Sequence, residues 1–287
     1  MGAGEIVAMV AASVVAGVMN AMAGGGTIVS FPTLVLLGEP AITANATSTV
    51  ALLPGVLASM FGYRREVETH RQWLKTLVLP SVLGGALGSV LLLSTPEKIF
   101  AGLAPLLVLF ATLLFIVQGI TSRGRKNPPG DPSGECRSST ADERPPAAPA
   151  AGEAAENGSQ PRHIASGRWT FAILLQFGIA VYGGYFGAAI GILMLAVLGF
   201  LGLSDIHAMN GLKNFFTFCI NGVAAAYFIV RGVVVWPVAL IMMAGSIAGG
   251  YGGALFARAI GKEKARAAVV VIGLLVTAVL VWQRQKH

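Results

Sequence analysis

The sequence predicts an all-α integral membrane protein built from two duplicated halves. Hydrophobic residues make up 55% of the 287 residues and charged residues only 11%, whereas a soluble domain carries about 25% charged residues. Long charge-free stretches recur along the chain, and a polar segment divides it into two parts that align with each other. We expect about eight transmembrane helices plus two short broken or re-entrant helices.

The membrane spans are predicted from stretches that contain no charged residue. Most of these stretches exceed the roughly 18 apolar residues that indicate a transmembrane helix. They run from Ile6 to Gly38, Ala41 to Tyr63, Thr76 to Ser94, Trp169 to Ser204, Gly232 to Ala257 and Ala267 to Trp282. The N-terminus lacks the basic region of a cleavable signal peptide, so we expect it to be retained. The lipid bilayer is the first predicted partner.

A polar segment, residues 121–168, separates the two halves. It holds 7 of the 14 prolines and 13 of the 33 charged residues, a composition typical of a disordered linker. The first transmembrane repeat is then 1–120 and the second is 169–287. Seven of the linker's charges are Lys or Arg, which favours the cytoplasmic side of a bacterial inner membrane. The other basic residues lie in short loops beside apolar spans, so they indicate topology and not nucleic-acid binding.

A single shift of 165 residues aligns the two halves without a gap. It pairs asparagine with asparagine, serine with serine, and one Gly-Gly-x-x-Gly pattern with another. The pairs are Gly26 and Gly191, Asn45 and Asn210, Ser81 and Ser246, Gly84 and Gly249, Gly85 and Gly250, and Gly88 and Gly253. Internal repeats are typical of secondary transporters, which hold the substrate between the repeats near the middle of the bilayer.

Each half opens with an apolar stretch that is too long for one helix. The 33 residues from Ile6 to Gly38 would form a helix of about 50 Å, against a hydrocarbon core of about 30 Å. Glycines near the middle of each stretch predict a break. These glycines are Gly24, Gly25 and Gly26 in the first half and Gly183, Gly184 and Gly187 in the second. Short helices over about 27–38 and 188–201 should follow the breaks.

Three ordinary spans should follow each short helix. Their predicted bounds are about 42–62, 76–93, 98–119, 208–230, 233–256 and 265–282. If the short helices are re-entrant, the two halves run parallel; if they cross, each half has five passes and the repeats are inverted. The loop charges do not distinguish these two arrangements.

The glycine breaks predict a site for an anion. Unpaired backbone N–H and C=O groups cost several kcal/mol in lipid, so a broken helix is either buried in protein or lines a wet cavity. A helix that begins at such a break directs free N–H groups and a partial positive charge at the cavity. Thr27 would add a further hydrogen-bond donor to the anion site formed by the first glycine cluster. Close helix packing through small residues is the alternative for the same glycines.

Polar residues at the start of the following spans are predicted to complete the site. Hydroxyl and amide groups bind oxyanion oxygens without adding a charge. The candidates are Asn45, Thr47, Ser48, Asn210 and Asn214. Lys213 is the only Lys or Arg well inside an apolar span, and an intramembrane cation indicates function. The alternatives are interhelical hydrogen bonding and, for the lysine, a side chain that reaches a lipid headgroup.

Motifs of other functional classes are missing from the sequence. It contains no P-loop for ATP hydrolysis, no His-Glu-x-x-His, no Gly-x-Ser-x-Gly and no cluster suited to a metal. We therefore expect no enzyme activity, no metal and no bound cofactor. Cys136 and Cys219 stand in unlike settings, so a disulfide is not expected. Asp205 and His207 are interpreted as parts of a solvated loop. The lone polar residues interpreted as helix-packing contacts are Asn20, Gln176 and Asn221.

Two motifs resemble the signature of the TauE/SafE family of sulfite and organosulfonate exporters. They are Asn20-Ala-Met-Ala-Gly-Gly-Gly-Thr-Ile-Val-Ser-Phe-Pro-Thr-Leu and Ala44-Asn-Ala-Thr-Ser-Thr. The resemblance extends to the Gly-Gly pairs of both halves, while Gly211-Leu-Lys-Asn214 stands where the second half of the family usually has Ala-Thr-Ser. It implies a secondary transporter, without a bound cofactor, for sulfite or a related anion.

Sulfite export by alternating access is the function that the residues and the resemblance together predict. An anion that leaves a negative-inside cell moves down the electrical gradient, at about 2.3 kcal/mol per charge per 100 mV. Proton coupling and facilitated exit both remain open, and a homodimer is compatible with the sequence. Uptake of an organosulfonate or thiosulfate is the alternative cargo movement. A membrane-embedded sulfur enzyme or an accessory subunit is the alternative from another class.

Overall fold

The computed structural model describes residues 2–22, 24–62, 71–124, 166–203 and 205–260, which form helices joined by short turns. We number the helices in chain order. They are α1 (Ala3–Met22), α2 (Thr27–Leu36), α3 (Ala41–Gly62), α4 (Arg71–Ser94), α5 (Glu97–Gly124), α6 (Ser166–Tyr185), α7 (Ile190–Phe200), α8 (Ile206–Val230) and α9 (Trp236–Ile260). The predicted all-α fold is confirmed for the described residues. The predicted span 265–282 and most of the predicted linker lie outside them.

Five helices of the described ranges are long and apolar enough to cross a membrane. Their apolar parts are Ala3–Ala21, Ala41–Met60, Gln72–Ser94, Glu97–Gln118 and Ala208–Val230. Shorter apolar helices are Thr27–Leu36, Trp169–Tyr185 and Ile190–Phe200. The chain is thus a multi-pass membrane protein, while the predicted total of eight spans is not reached within these ranges. Helix also enters each end of the predicted linker, because α5 continues to Gly124 and α6 begins at Ser166.

The outer surface of the bundle is apolar and its interior holds polar groups. Leu79, Leu106 and Leu174 are 64%, 60% and 65% exposed, which is unfavourable in water but suits contact with hydrocarbon. Polar side chains are buried instead. Those less than a tenth exposed include Thr27, Asn45, Lys213, Asn214 and Asn221. Lipid solvates no polar group, so a membrane protein buries its polar side chains.

Both predicted helix breaks are present. The chain leaves helical geometry between α1 and α2, and again between α6 and α7. Gly24 and Gly187 both have a φ of 77°, a conformation that glycine adopts readily and residues with a Cβ atom adopt at a cost. α2 has ten residues and α7 has eleven, so each is about 15 Å long. Neither short helix crosses the bilayer by itself.

The chain reverses direction at the first break. Gly26 packs against the carbonyl oxygen of Ala16, so α2 runs back alongside α1. The hydroxyls of Ser30 and Ser48 lie 2.5 Å apart, which makes α2 antiparallel to α3 as well. α2 therefore returns the chain to the side on which α1 begins. We call it the Pro40 side, after the residue before α3, and the opposite side the Gly202 side, after the turn between α7 and α8.

Glycines join the two halves through reciprocal contacts. A Cβ atom on Gly85 of α4 would lie 3.0 Å from the carbonyl oxygen of Ile220 in α8. A Cβ atom on Gly250 of α9 would lie 2.9 Å from the carbonyl oxygen of Gly55 in α3. The shift of 165 residues that aligns the halves converts the first pair into the second. Without side chains at these positions, the helix backbones approach closely.

Further glycine contacts give the direction of α4 and α6. Gly84 of α4 packs on the carbonyl oxygen of Phe177 in α6, and Gly88 packs on that of Val181. From the first contact to the second, α4 and α6 advance by the same number of residues, so the two helices run in the same direction. The backbone N–H of Ala41 at the start of α3 donates to Glu97, which directly follows the end of α4. α4 and α6 therefore run toward the Pro40 side.

α9 and the helices that pack against it run in the direction opposite to α4 and α6. Gly245 of α9 packs against Ser13 of α1, and Gly17 of α1 packs against Gly250. The first turn of α9 lies beside the start of α3, where Thr47 accepts a hydrogen bond from a backbone N–H just before α9. α1, α3 and α9 therefore run away from the Pro40 side, while α4, α6 and α8 run toward it. Helices that correspond under the shift of 165, such as α3 and α8, have opposite directions.

An aromatic cluster fixes the second break against the first half. The ring of Phe186, which lies in the break, is 5.3 Å from the ring of Phe31 on α2. Phe31 also packs edge-on against Phe100 of α5, at 6.2 Å between ring centroids. All three side chains are fully buried. Burial of each aromatic ring stabilises the contact between the breaks by several kcal/mol, about 3–5 on truncation to alanine.

Candidate functional site

The two helix breaks meet in the interior of the bundle. A Cβ atom on Gly24 would lie 2.7 Å from the Cα atom of Gly191, so the first break contacts the first turn of α7. A Cβ atom on Gly187 would lie 3.7 Å from Thr27 Oγ1, so the second break faces the first turn of α2. Each break thus abuts the short helix that follows the other. The two predicted glycine clusters come together in one place.

Both short helices begin without a side-chain cap. Gly26 is the N-cap residue of α2 and Ala189 that of α7, and neither residue caps its helix with its own side chain. The first helical hydrogen bonds of α7 are accepted by the Ala189 carbonyl, so the N–H groups of Ile190 and Gly191 have no acceptor inside the helix. The N–H of Thr27 at the start of α2 is in the same position. Two partial positive charges therefore face the junction of the breaks.

Gly187 stands among three polar atoms, and its missing side chain leaves a space no larger than a methyl group, which we call the Gly187 gap. Its Cβ atom, if present, would lie 3.3 Å from the carbonyl oxygen of Gly183, 3.7 Å from Thr27 Oγ1 and 3.8 Å from Asn221 Oδ1. Asn221 is 8% exposed, and its Oδ1 has no hydrogen-bond partner in the described part of the chain. A buried polar atom without a partner costs about 1–3 kcal/mol. A hydrogen-bond donor next to this oxygen would remove that cost.

Four other predicted glycines have a packing role. Gly25 lies under the ring of Phe115, and Gly184 lies against the carbonyl oxygen of Gly85. A Cβ atom on Gly183 would lie 3.0 Å from two isoleucine side chains, and Gly26 contacts the α1 backbone. The space that these four glycines leave is filled by protein atoms. The absence of side chains at these four positions is therefore explained by close helix packing, the alternative considered from the sequence.

The polar residues of α3 have three different environments. Asn45 Nδ2 donates a hydrogen bond to the carbonyl oxygen of Tyr185 at the second break, at 3.1 Å, while its Oδ1 is buried without a partner among the described residues. Thr47 Oγ1 accepts a hydrogen bond from the N–H of Val235 at 3.1 Å. Ser48 pairs with a serine of α2. Only Asn45 of these three predicted site residues retains a free polar atom beside a break.

The predicted polar residues of α8 are buried within the bundle. Lys213 is 0% exposed, and Asn214 is 2% exposed. Lys213 Nζ and Asn214 Nδ2 both lack a hydrogen-bond partner within the described ranges. Asn210 is half-buried in the first turns of the helix. Asn210, Asn214 and Asn221 recur at helical spacing, so they share one face of α8.

Two residues of the site are not evident from the sequence. Tyr182 Oη is buried and, among the described residues, without a hydrogen-bond partner. Its sequence signal is its place in Tyr182-Gly-Gly-Tyr185, directly before the second break. Asn221 was interpreted as a packing contact, and its helical spacing from Asn214 was the signal. The same interpretation fits Asn20, which accepts a hydrogen bond from the N–H of Gly26 at 2.9 Å. It also fits Gln176, which donates to a serine of α4 at 2.8 Å.

No metal-binding arrangement is found in the described ranges, where no three His, Cys, Asp or Glu residues come together. Cys219 is a free, half-buried cysteine on α8. Asp205 precedes α8 and is exposed, as predicted for a loop residue. His207 lies in the first turn of α8 and not in the predicted loop. Its side chain, like Cys136, lies outside the described part of the chain.

Comparisons with known proteins agree with this picture of a transporter. The sequence model of the family described as "Sulfite exporter TauE/SafE" matches residues 9–280. A "Probable membrane transporter protein" from Haemophilus influenzae is 26% identical over 271 residues, which cover 94% of this chain and 92% of that protein. A "Probable membrane transporter protein ORF9" from Sinorhizobium sp is 23% identical over 265 residues, or 92% of this chain and 87% of its own length. No solved structure matches the chain.

Proposed function

Because this chain is a membrane transporter that belongs to the TauE/SafE family, we propose that it exports a small sulfur oxyanion, with sulfite as the principal cargo. The observation that carries this proposal is the meeting of two uncapped helix N-termini beside the Gly187 gap, inside an apolar bundle. Free N–H groups and helix dipoles favour a negative ligand there. The family description supplies the sulfur chemistry, since the names of both relatives specify no cargo.

The anion would bind between the first turns of α2 and α7. The N–H groups of Thr27, Ile190 and Gly191 would donate to its oxygens, as would the Thr27 hydroxyl. Asn221 borders the same gap. Lys213, the buried lysine of α8, would supply the compensating positive charge.

The remaining predicted residues divide into two groups. Asn45, Asn210 and Asn214 would line the path to and from the gap, because Asn45 and Asn214 hold unpaired buried atoms and Asn210 shares a face of α8 with Asn214. Thr47 and Ser48 would support the helices, because protein groups already occupy their hydroxyls.

Alternating access would follow from duplicated, inverted halves. The reciprocal glycine contacts and the opposite directions of corresponding helices support this arrangement. α2 returns the chain to the Pro40 side. Of the two arrangements considered from the sequence, this corresponds to inverted repeats in which the short helices cross. Rocking of one half against the other around the breaks would open the gap to each side of the membrane in turn.

The charges at the two ends of the bundle favour a cytoplasmic Gly202 side. The described residues near this end are Arg71, Lys75, Arg123, Arg168, Asp205 and Arg258, five basic and one acidic. Those near the Pro40 end are Glu5, Glu39, Glu97, Lys98 and Arg231, two basic and three acidic. Basic residues accumulate on the cytoplasmic side of membrane proteins. In a bacterial inner membrane, the N-terminus would then face outward, and Lys213 would lie in the cytoplasmic half of α8.

Reconstituted transport is the experiment that tests this function. Purified protein in liposomes, with a negative interior, is expected to release radiolabelled sulfite faster than liposomes without protein, and unlabelled sulfite should compete. Release only of an organosulfonate or thiosulfate would replace sulfite as the cargo. No flux of any of these anions through the purified chain would contradict the proposal and favour an accessory subunit. A double Cys219→Ala, His207→Ala variant that retains flux would exclude the enzyme alternative.

A further inference from the structure

Among the described residues, one charged side chain lies inside the apolar spans, away from the helix ends. Away from the helix ends, the apolar spans hold no Asp, Glu, Lys or Arg other than Lys213. Its side chain is 0% exposed, and no described residue accepts a hydrogen bond from its Nζ. The charge of the empty interior is therefore at most +1.

This charge limits the valence of the cargo. A monovalent anion together with Lys213 leaves the interior without a formal charge, whereas a divalent anion leaves one negative charge that only the partial charges of the two helix N-termini offset. An uncompensated charge in a low-dielectric interior is strongly unfavourable. We propose that the chain binds its cargo as a monovalent anion, so that sulfite is carried as hydrogen sulfite. This inference rests on the proposed function and specifies the ionic form of its cargo.

Unpaired acceptor atoms beside the second break also favour a protonated, monovalent cargo. Asn45 donates through Nδ2 to the Tyr185 carbonyl, which fixes its Oδ1 as an acceptor, and this oxygen has no partner among the described residues. Asn221 Oδ1, the other unpaired amide oxygen, borders the Gly187 gap. An amide oxygen repels a fully deprotonated oxyanion but accepts a hydrogen bond from an S–OH group. Asn221 thereby determines specificity for the protonated form.

Hydrogen sulfite carries its own proton across the membrane. Each exported ion removes one negative charge and one acid proton from the cell, so proton-linked transport needs no titrating protein group. Other titratable side chains do occur on α8 and the helices packed against it, and the experiment has to separate their effect. In the described ranges these are His207, Lys213, Cys219 and Tyr227 on α8, Arg168, Tyr182 and Tyr185 on α6, and Arg71 and Lys75 on α4.

Equilibrium binding to purified protein in lipid nanodiscs tests this inference. Sulfite is compared with methanesulfonate, a sulfur oxyanion that stays monovalent, between about pH 6 and about pH 8. Hydrogen sulfite loses its proton near neutral pH, so the apparent sulfite affinity is expected to fall about tenfold per pH unit above that point. Methanesulfonate affinity is expected to stay constant.

The other possible outcomes contradict either this inference or the proposed function. A sulfite affinity that stays level or rises with pH, while methanesulfonate still binds, overturns the monovalent cargo. A parallel fall for both anions means that a protein group titrates, which overturns it as well. Binding of neither anion overturns the proposed function, and this inference with it.

A substitution tests the role of Asn221 separately. Asn221→Leu removes the acceptor at similar volume and is expected to lower the ratio of hydrogen sulfite affinity to methanesulfonate affinity about tenfold, which corresponds to about 1.4 kcal/mol. Size-exclusion and thermal unfolding profiles show whether the variant is folded, and its residual methanesulfonate binding confirms an intact site. An unchanged ratio in a folded variant overturns the assignment of Asn221.

Discussion

Gly24 of the first half is in direct contact with Gly191 of the second, where a Cβ atom on Gly24 would lie only 2.7 Å from the Gly191 Cα atom. The two helix breaks are therefore one structural unit. A conformational change that moves one half against the other has to change this contact. The following predictions concern that unit and the residues around it.

Gly24→Ala is expected to destabilise the protein. The residue has a φ of 77°, which costs an L-residue about 1–2 kcal/mol, and the new methyl group would clash with α7. Gly178→Ala is the matched control, because it lies in helix α6 with no atom within 4 Å of its Cβ position. Alanine there should stabilise the helix by about 0.5–1 kcal/mol. Thermal unfolding in detergent measures both, and equal melting temperatures would contradict the contact between the breaks.

Gly187→Ala is expected to weaken anion binding and to destabilise the fold less than Gly24→Ala does. Its φ is also 77°, but the nearest atom to the new methyl group would be 3.3 Å away, so the methyl fills the gap without a severe clash. We expect about a tenfold loss of sulfite affinity, or about 1.4 kcal/mol. Gly202→Ala controls for backbone strain, since its φ is 92° and no atom lies within 4 Å. A similar affinity loss in both variants would exclude the Gly187 gap as the site.

Lys213→Met is expected to abolish most sulfite flux while raising thermal stability. Methionine matches the length of the side chain and removes a buried, unpaired ammonium group, whose burial costs several kcal/mol. Lys75→Met on the exposed face of α4 is the control and should change neither property. Flux is measured in proteoliposomes and stability by thermal unfolding. Full flux in Lys213→Met would remove the lysine from the mechanism.

Ser48→Ala separates a supporting role from a binding role. Ser48 shares a buried hydrogen bond with Ser30, which also donates to the Gly26 carbonyl at 3.3 Å. Its loss should cost about 1 kcal/mol of stability and leave sulfite affinity within about twofold. The double variant with Ser30→Ala should be less than additive, because both changes remove one interaction. A large affinity loss with unchanged stability would return Ser48 to the binding site.

The orientation of the chain predicts a labelling pattern. In a background without Cys136 and Cys219, Glu39→Cys should react with a membrane-impermeant maleimide in intact cells, because the Pro40 side faces outward. Gly202→Cys should react only after the membrane is permeabilised. The reverse pattern would contradict the assignment of the sides, and with it the position of Lys213 in the cytoplasmic half.

The breaks were predictable because their cause is local. A charge-free stretch from Ile6 to Gly38 exceeds the membrane thickness, and glycines at its middle give the chain its positive φ angles. The shift of 165 residues likewise identified glycine pairs, such as Gly85 and Gly250, that have equivalent contacts. A constant spacing along the chain predicts such pairs because each half makes the equivalent contact with the other half.

The composition of the site could not be predicted to the same extent. Whether a glycine leaves space or admits a neighbour depends on the helix opposite, so Gly187 and Gly184 look alike in sequence and differ in the structure. Ser48 and Asn45 looked equivalent for the same reason, until their partners on α2 and α6 were known. Asn221 stands alone in an apolar run and gains its importance only from the gap beside it.

The most direct test of the account is a high-resolution density map of the purified protein in nanodiscs with and without sulfite. The account predicts density for one anion between the first turn of α2 and the first turn of α7, beside Gly187 and within hydrogen-bond distance of Thr27. Sulfite density elsewhere in the bundle, with this junction unchanged and closed, would contradict it.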